Sequence, residues 1–270
     1  MVVDLSCPLC LAPVSDLFAR AHGRRYRRCV GCGLIFMEPA DRLDPAAERA
    51  RYETHQNDPA DAGYRGFLDR LAAPLVERVV AEIPSGAEGL DFGSGPGPTL
   101  SIMLEERGMQ MSIYDPFFAP DRSVLERTHD FVTCTETVEH FFDPRREFER
   151  FDRLVRPGGW LAIMTEWPPG SEAEGSPGES PRGDGLRGER PRGDVPRGDR
   201  SRGPLEAAAE DPVPDPAVFE GWYYTRDPSH TCFYGPRTLR WIAGHFGWEL
   251  ELPRRNVAIF RVPGGTGVDF

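Results

Sequence analysis

The chain has 270 residues, a hydrophobic fraction of 39% and a formal net charge of −11. No apolar run approaches the roughly 18–20 residues of a membrane helix, and the opening MVVDLSCPLC lacks the basic stretch and long apolar run of a signal peptide. A cytoplasmic protein with no membrane partner is therefore expected, and the acidic balance argues against a general nucleic-acid binder, which carries a basic face.

Residues 1–38 form the first unit. Cys7-Pro8-Leu9-Cys10 and Cys29-Val30-Gly31-Cys32 are two C-x2-C knuckles separated by 18 residues. Each can place two thiolates on one tetrahedral ion, and the spacing fits a zinc ribbon. The alternative is four free thiols in a loop. Four sulfurs leave no open position, so Cys7, Cys10, Cys29 and Cys32 are expected to hold a structural zinc that supplies much of the folding energy of this small module. Gly31 and Gly33 suit the tight turn around the ligands. The basic cluster Arg24, Arg25, Arg27 and Arg28 reads as a solvated turn rather than a nucleic-acid patch. All 32 basic residues are arginine, which we read as codon bias.

Residues 39–60 are polar and rich in Pro and Asp, and read as a linker. Over 62–83, apolar residues recur at helical spacing, with Phe67, Leu71, Leu75, Val76, Val79 and Val80 on one face. Pro74 interrupts this pattern, so a kink or two shorter helices is expected. Strands follow at 88–92, 109–114, 130–135 and 160–165, with helices at 98–107 and 145–155. This alternation predicts a mainly parallel α/β sheet. Residues 168–216 break the pattern. They contain a five-residue repeat from Pro181 to Leu205 that cannot bury a core, and read as a disordered low-complexity insertion. Its Arg-Gly-Asp triplets read as coincidence rather than as an adhesion motif. A helix is expected at 236–246, then two closing strands at 248–253 and 256–262. The division is thus 1–38, 39–60, a core at 61–167, the insertion at 168–216 and the rest of the core at 217–270.

Chemistry concentrates in Leu90-Asp91-Phe92-Gly93-Ser94-Gly95-Pro96-Gly97-Pro98, where a strand gives way to a helix. Glycines there let a ligand approach the backbone, and the helix start offers free N–H groups. The spacing is D-x-G-x-G-x-G, not the G-x-G-x-x-G of dinucleotide folds, which weakens a dehydrogenase reading. Asp115 ends the next strand, 18 residues past Gly97. A carboxylate at that place can accept ribose hydroxyls; the alternative is a turn Asp before Pro116.

The glycine turn, Asp115, the run CTETVEHFFDP (134–144) and the run LVRPGGWLAIMT (154–165) together resemble class I methyltransferases that use S-adenosylmethionine. The likeness is to the quinol-methylase-like and sugar-C-methyltransferase-like groups, some of which carry an N-terminal four-cysteine zinc module. It spans about 1–165 and 218–262. The resemblance implies a Rossmann-like, seven-stranded sheet, mostly parallel, with a reversed final strand. It also implies that Asp91, Gly93, Ser94, Gly95 and Gly97 form the cofactor loop, that Asp115 binds ribose, and that Thr135 and Glu136 line the methionine end. Only about fifteen residues separate Asp115 from the strand at 130, so the usual helix and third strand barely fit. No adenine-contacting acid can be assigned, and Asp121 is a poor guess for it.

The sulfonium cofactor would carry an activated methyl group, so the protein's task is to align an acceptor and exclude water. For a hydroxyl or acidic C–H acceptor a base helps. His140 lies just past the strand at 130–135. His230 lies among Trp222, Tyr223, Tyr224 and Tyr234, and similar D-P-[ST]-H segments occur in related methyltransferases. Cys134 and Cys232 read as small packed residues. The leading expectation is methyl transfer to a small-molecule acceptor. The alternative is a non-catalytic scaffold of the same fold that binds a protein or RNA partner through its zinc module. Neither the acceptor, the methylated atom nor the oligomeric state is written in the sequence.

Overall fold

The computed structural model of the protein describes residues 5–14, 16–52, 58–171 and 212–264. The repeat at 181–205 lies outside them. The N-terminal unit opens with a short antiparallel pair, β1 (Leu5–Ser6) and β2 (Pro13–Val14), around the first knuckle. β3 (Leu17–Ala21) and β4 (Arg24–Arg28) form a hairpin, and β5 (Ile35–Met37) adds to β4. The two knuckles share one backbone form. Leu11 N–H donates to the Cys7 carbonyl and Gly33 N–H to the Cys29 carbonyl, four residues apart in each case. Both turns end in the left-handed region, Leu11 at φ 64° and Gly33 at φ 81°.

The arginine cluster expected as a solvated turn is instead the strand β4. Arg25 pairs with Asp41 and Glu38, Arg27 pairs with Glu38, and Arg24 donates to the Thr225 carbonyl. Alternation along the strand puts Arg24 on the face of the buried Tyr26 and Arg25 and Arg27 on the opposite one.

The segment read as a linker carries a helix, α1 (Pro45–Tyr52). Then comes α2 (Ala62–Glu82), one continuous helix of 21 residues, capped by the Asp61 carboxylate on Tyr64 N–H. Of the two outcomes expected at Pro74, a kink or two shorter helices, the second does not occur. Pro74 is itself buried, in line with Leu71, Leu75 and Val79, so packing against the sheet outweighs the one lost backbone bond. Val80 falls outside the buried face, and Leu68 and Ala72 fall inside it.

The core alternates as expected: β6 (Glu88–Phe92), α3 (Thr99–Glu105), β7 (Gln110–Tyr114), β8 (His129–Thr135), α4 (Pro144–Leu154) and β9 (Val155–Met164); α5 (Pro216–Gly221) and β10 (Cys232–Phe233), for which no element was expected, precede the expected α6 (Pro236–Phe246), β11 (Glu249–Arg254) and β12 (Val257–Arg261). The main sheet has the order β11-β12-β9-β8-β6-β7. β7, β6, β8 and β9 run parallel, and β12 is antiparallel to both its neighbours. This is a Rossmann-like sheet with a reversed final strand. It has six strands rather than seven among the described residues: between β7 and β8 there is only a short 3-10 turn at Arg122–Leu125.

Strand alternation sorts the side chains into two layers. Leu161, Ile163, Ala258 and Phe260 face α4, α6 and the cysteine module. Ala162, Met164, Val257 and Ile259 face α2 and α3. The N-terminal unit is continuous with this body. Cys7, Cys29 and Cys32 belong to the same buried cluster as Leu239 and Ile242 of α6, and β10 pairs with β5, giving a four-stranded sheet β10-β5-β4-β3.

Candidate active site

The chain leaves β6 toward β7 on one side and returns to β8 on the other. That reversal opens a crevice at the carboxyl ends of these strands, the usual ligand place in open α/β sheets. A cavity of about 600 Å³ lies there, within the size range of small-molecule sites.

The glycine turn forms its floor. Gly93 sits at φ 81° and Gly95 at φ 65°, both in the left-handed region. A Cβ on Gly93 would lie 2.3 Å from Thr137 Cγ2, so both conformation and space require glycine. Gly93 N–H donates to the Tyr114 carbonyl at 2.8 Å and ties the turn to the end of β7. Asp91 lies beneath the turn, 4% exposed. Its carboxylate accepts from Thr133 Oγ1 at 2.9 Å and from Ser101 Oγ at 3.2 Å. Burial pushes its carboxyl up to about 6, against the pull of those two hydroxyls.

Asp115 accepts three backbone N–H bonds, from Gly95 at 3.1 Å, Phe117 at 2.8 Å and Phe118 at 3.0 Å. A carboxylate has roughly four acceptor sites, so about one remains for a ligand hydroxyl. Phe117 and Phe118, held by the same carboxylate, add aromatic wall beside it. Asp121 is elsewhere: it is exposed and caps Ser123 N–H.

The other end of the cavity gathers Thr135, Glu136, Glu139, His140 and His230. His140 Nδ1 donates to the Ser229 carbonyl at 3.0 Å and His230 Nδ1 to the Tyr224 carbonyl at 2.8 Å. A carbonyl only accepts, so each ring carries its proton on Nδ1 and keeps a lone pair on Nε2. The rings stand 4.9 Å apart. Donor atoms of Glu139, His140 and His230 lie within 4.8 Å of one another. Burial pushes His140 down to about 4; the Glu139 carboxylate opposes this and His230 adds to it. Glu139 is fully buried, with Thr165 Oγ1 on one oxygen at 2.9 Å and the Tyr224 hydroxyl on the other at 2.5 Å. Glu136 follows β8 at φ 48°, strained for a residue with a side chain.

Thus both histidines, Asp91, Gly93, Ser94, Gly95, Gly97, Asp115, Thr135 and Glu136 come to one cavity. Glu48 and Tyr52 of α1, and Tyr64 and Leu68 of α2, also line it. The sequence carries no motif for these four. The only signal is the helical spacing of α2. Tyr52 packs edge-on against His140 at 5.1 Å and donates to Glu48 at 3.1 Å.

The four N-terminal cysteines form a second centre. Cys7 Sγ lies 3.6 Å from Cys32 Sγ, and Cys10 Sγ lies 3.3 Å from Cys29 Sγ. Thiolates around one zinc ion, each at about 2.3 Å, stand roughly 3.8 Å apart, close to this arrangement. Of the two glycines in the knuckle, only Gly33 takes the left-handed turn; a Cβ on Gly31 would meet Cys29 Sγ at an ordinary 3.6 Å. Cys134 and Cys232 are buried and apart from this group.

The chain is 31% identical over 77 residues to a ubiquinone biosynthesis O-methyltransferase of Klebsiella pneumoniae, covering 28% of this chain and 32% of that one. With the protein of the same name from Colwellia psychrerythraea it shares 27% over 92 residues, 34% and 37% of the two chains. The match spans about a third of the length of these curated relatives. Among solved structures, magnesium protoporphyrin IX methyltransferase from Synechocystis aligns at 12% identity, over 81% of this chain and 94% of that one, with a TM-score of 0.41. A family profile described as "Methyltransferase domain" matches residues 64–252. It covers well over half of the chain and every element that builds the glycine turn, Asp115 and the histidine pair, and the protein belongs to that methyltransferase family.

Proposed function

We propose that the protein transfers a methyl group from S-adenosylmethionine to a small acceptor, a hydroxyl in the first instance, and that a structural zinc holds its N-terminal module. The observation that carries this reading is the two-ended cavity, with a glycine turn and Asp115 at one end and two imidazole lone pairs at the other. The polar inventory fits the cofactor. Ser94 Oγ, Thr99 Oγ1, Thr135 Oγ1 and Glu136 Oε1 are buried along this cavity without a hydrogen-bond partner, and buried polar groups call for one. The bare backbone at Gly93 and Gly95 leaves room for close approach. The relatives' name, O-methyltransferase, supports a hydroxyl acceptor.

When bound, the cofactor supplies an electrophilic methyl group. The protein's residues do the rest. Asp115 would hold a ribose hydroxyl, and Thr135 and Glu136 would line the methionine end. Tyr52, Tyr64 and Leu68 exclude water from above. His230 Nε2 would take the acceptor proton. His140, pushed down to about 4, is a poor proton acceptor and serves to shape the site. In this reading residues 61–167 and 217–270 form the catalytic body and 1–38 the zinc module.

Calorimetric titration with S-adenosylmethionine and separately with NAD tests this. Micromolar binding of the former alone is expected, and Asp115→Ala should weaken it by about 1–3 kcal/mol. Binding of neither would overturn the enzyme reading in favour of a scaffold that engages a protein or RNA partner.

A further inference from the structure

At the histidine end of the cavity lies a cluster whose protons neither the cofactor loop nor the base accounts for. The Tyr224 hydroxyl meets two carboxylates at once, Glu139 Oε1 at 2.5 Å and Glu136 Oε2 at 3.1 Å. A phenol has one proton to give. With the shorter bond made to Glu139, the contact to Glu136 is a full hydrogen bond only if Glu136 brings a proton of its own. The second Glu136 oxygen, Oε1, is buried and has no hydrogen-bond partner. Glu139 is fully buried and Glu136 half-buried, and two carboxylates that share one phenol proton oppose each other's ionisation.

We infer that Glu136, Tyr224 and Glu139 form a one-proton store: Glu136 is protonated while the cavity holds no positive charge, gives up that proton when the cationic cofactor binds, and regains one when the methyl group has left. The inference rests on the proposed function, because the charge that comes and goes is that of the sulfonium. The surroundings favour it. Burial and the Glu139 charge both push the Glu136 carboxyl upward, and Glu166 after β9 adds to the push. Arg70 of α2 and the Tyr224 hydroxyl act in the opposite sense. Tyr64 of α2 and Tyr223 face Glu136 as neutral phenols, each pushed up to about 12.

The balance of the reaction gives the store its use. The acceptor O–H bond breaks and an O–CH3 bond forms, while the cofactor sulfur keeps the electron pair of the broken C–S bond and becomes neutral. One positive charge disappears from the cavity and one proton appears in it. His230 Nε2 takes this proton first. A Glu139 carboxylate oxygen lies within 4.8 Å of a ring nitrogen of His230, and Tyr224 links Glu139 to Glu136. Storing the proton at Glu136 keeps the net charge of the buried site constant through the step, so no bare charge is left in a medium that solvates it poorly. The proton then leaves when the next cationic cofactor enters.

S-adenosylmethionine and S-adenosylhomocysteine differ by the sulfonium charge, and calorimetry of each in phosphate and in Tris at one neutral pH counts the protons exchanged. The expected result is close to one proton released per S-adenosylmethionine bound and none for S-adenosylhomocysteine, with the release lost in Glu136→Gln. The infrared carbonyl band of a protonated carboxylic acid should be present in the unliganded protein and vanish on addition of S-adenosylmethionine but not of S-adenosylhomocysteine. Both readouts on the native protein stand even if the variant does not fold. Equal proton exchange for the two ligands, or release that persists in Glu136→Gln, overturns the store and leaves the methyltransferase reading intact. Failure of both ligands to bind overturns both.

Discussion

Asp91 shows how one buried carboxylate can serve the site without facing the ligand. Its two oxygens are taken by Thr133 of β8 and Ser101 of α3, so it fastens three elements beneath the glycine turn. The arrangement has a cost that depends on pH. Asp91 titrates near 6 in the folded protein, against 3.8 for an ordinary aspartate. Well below pH 3.8 both folded and unfolded chains hold the proton and the group contributes no slope. As pH rises, the unfolded chain ionises first, so the folded state binds more protons and stability falls until the folded group has ionised near 6. The shift is worth on the order of 3 kcal/mol. Asp91→Asn removes the titration and keeps a hydrogen-bonding oxygen for Thr133. Urea unfolding near pH 4 and near pH 6.5 should therefore show a smaller loss of stability with rising pH in the variant than in the native protein. An identical loss would place the titration elsewhere.

At the scale of elements, the turn between β6 and α3 was legible because its demand is local. A left-handed residue pressed against a neighbour must be glycine, and Gly93 is both. Gly93→Ala should cost on the order of 2–4 kcal/mol, combining left-handed strain with overpacking. Gly108 is the control. It has φ 84° but open space where its Cβ would be, so Gly108→Ala should cost about 1–2 kcal/mol. Chemical denaturation of the pair separates the two terms, and equal losses would mean that the Thr137 contact relaxes freely. The strands were equally readable, since a run such as WLAIMT is apolar on both faces and so belongs inside a two-layered sheet. What stayed hidden depends on distant partners. Glu48 and Tyr52 sit in a polar segment that looks like a linker, and only the packing of α1 beside His140 makes them cavity wall. That α2 runs on through Pro74 was not legible either, because the local penalty is plain in the sequence whereas the burial that outweighs it is not. The Glu136–Tyr224–Glu139 contact joins residues some 85 positions apart, and no spacing rule reaches across that interval.

For the molecule as a whole, the cysteine module and the methyltransferase body share one core. Cys7, Cys29 and Cys32 pack into the same cluster as Leu239, Ile242, Ile163 and Phe260. β10 hydrogen-bonds to β5 of the module. Thr231, next to His230, accepts from Met37 N–H of the module at 2.8 Å and donates its own N–H to the Glu139 carbonyl at 2.7 Å. The segment that carries one histidine of the site is thus held between the module's sheet and the turn that carries the other. A metal that folds the module should then stabilise the entire protein, because metal affinity for the native state is folding free energy. Native mass spectrometry should find one zinc per chain, lost in Cys29→Ser. Trp167, Trp222 and Trp248 are buried in or beside this shared core, so their fluorescence reports its unfolding. Loss of the metal by chelation or by Cys29→Ser should lower a single thermal transition by about 10 °C or more, a few kcal/mol for a protein of this size. Two transitions, with the larger unmoved by the chelator, would mean that the module folds on its own beside an indifferent body. A single lowered transition would instead make the zinc, some way from the chemistry, a condition for placing His230.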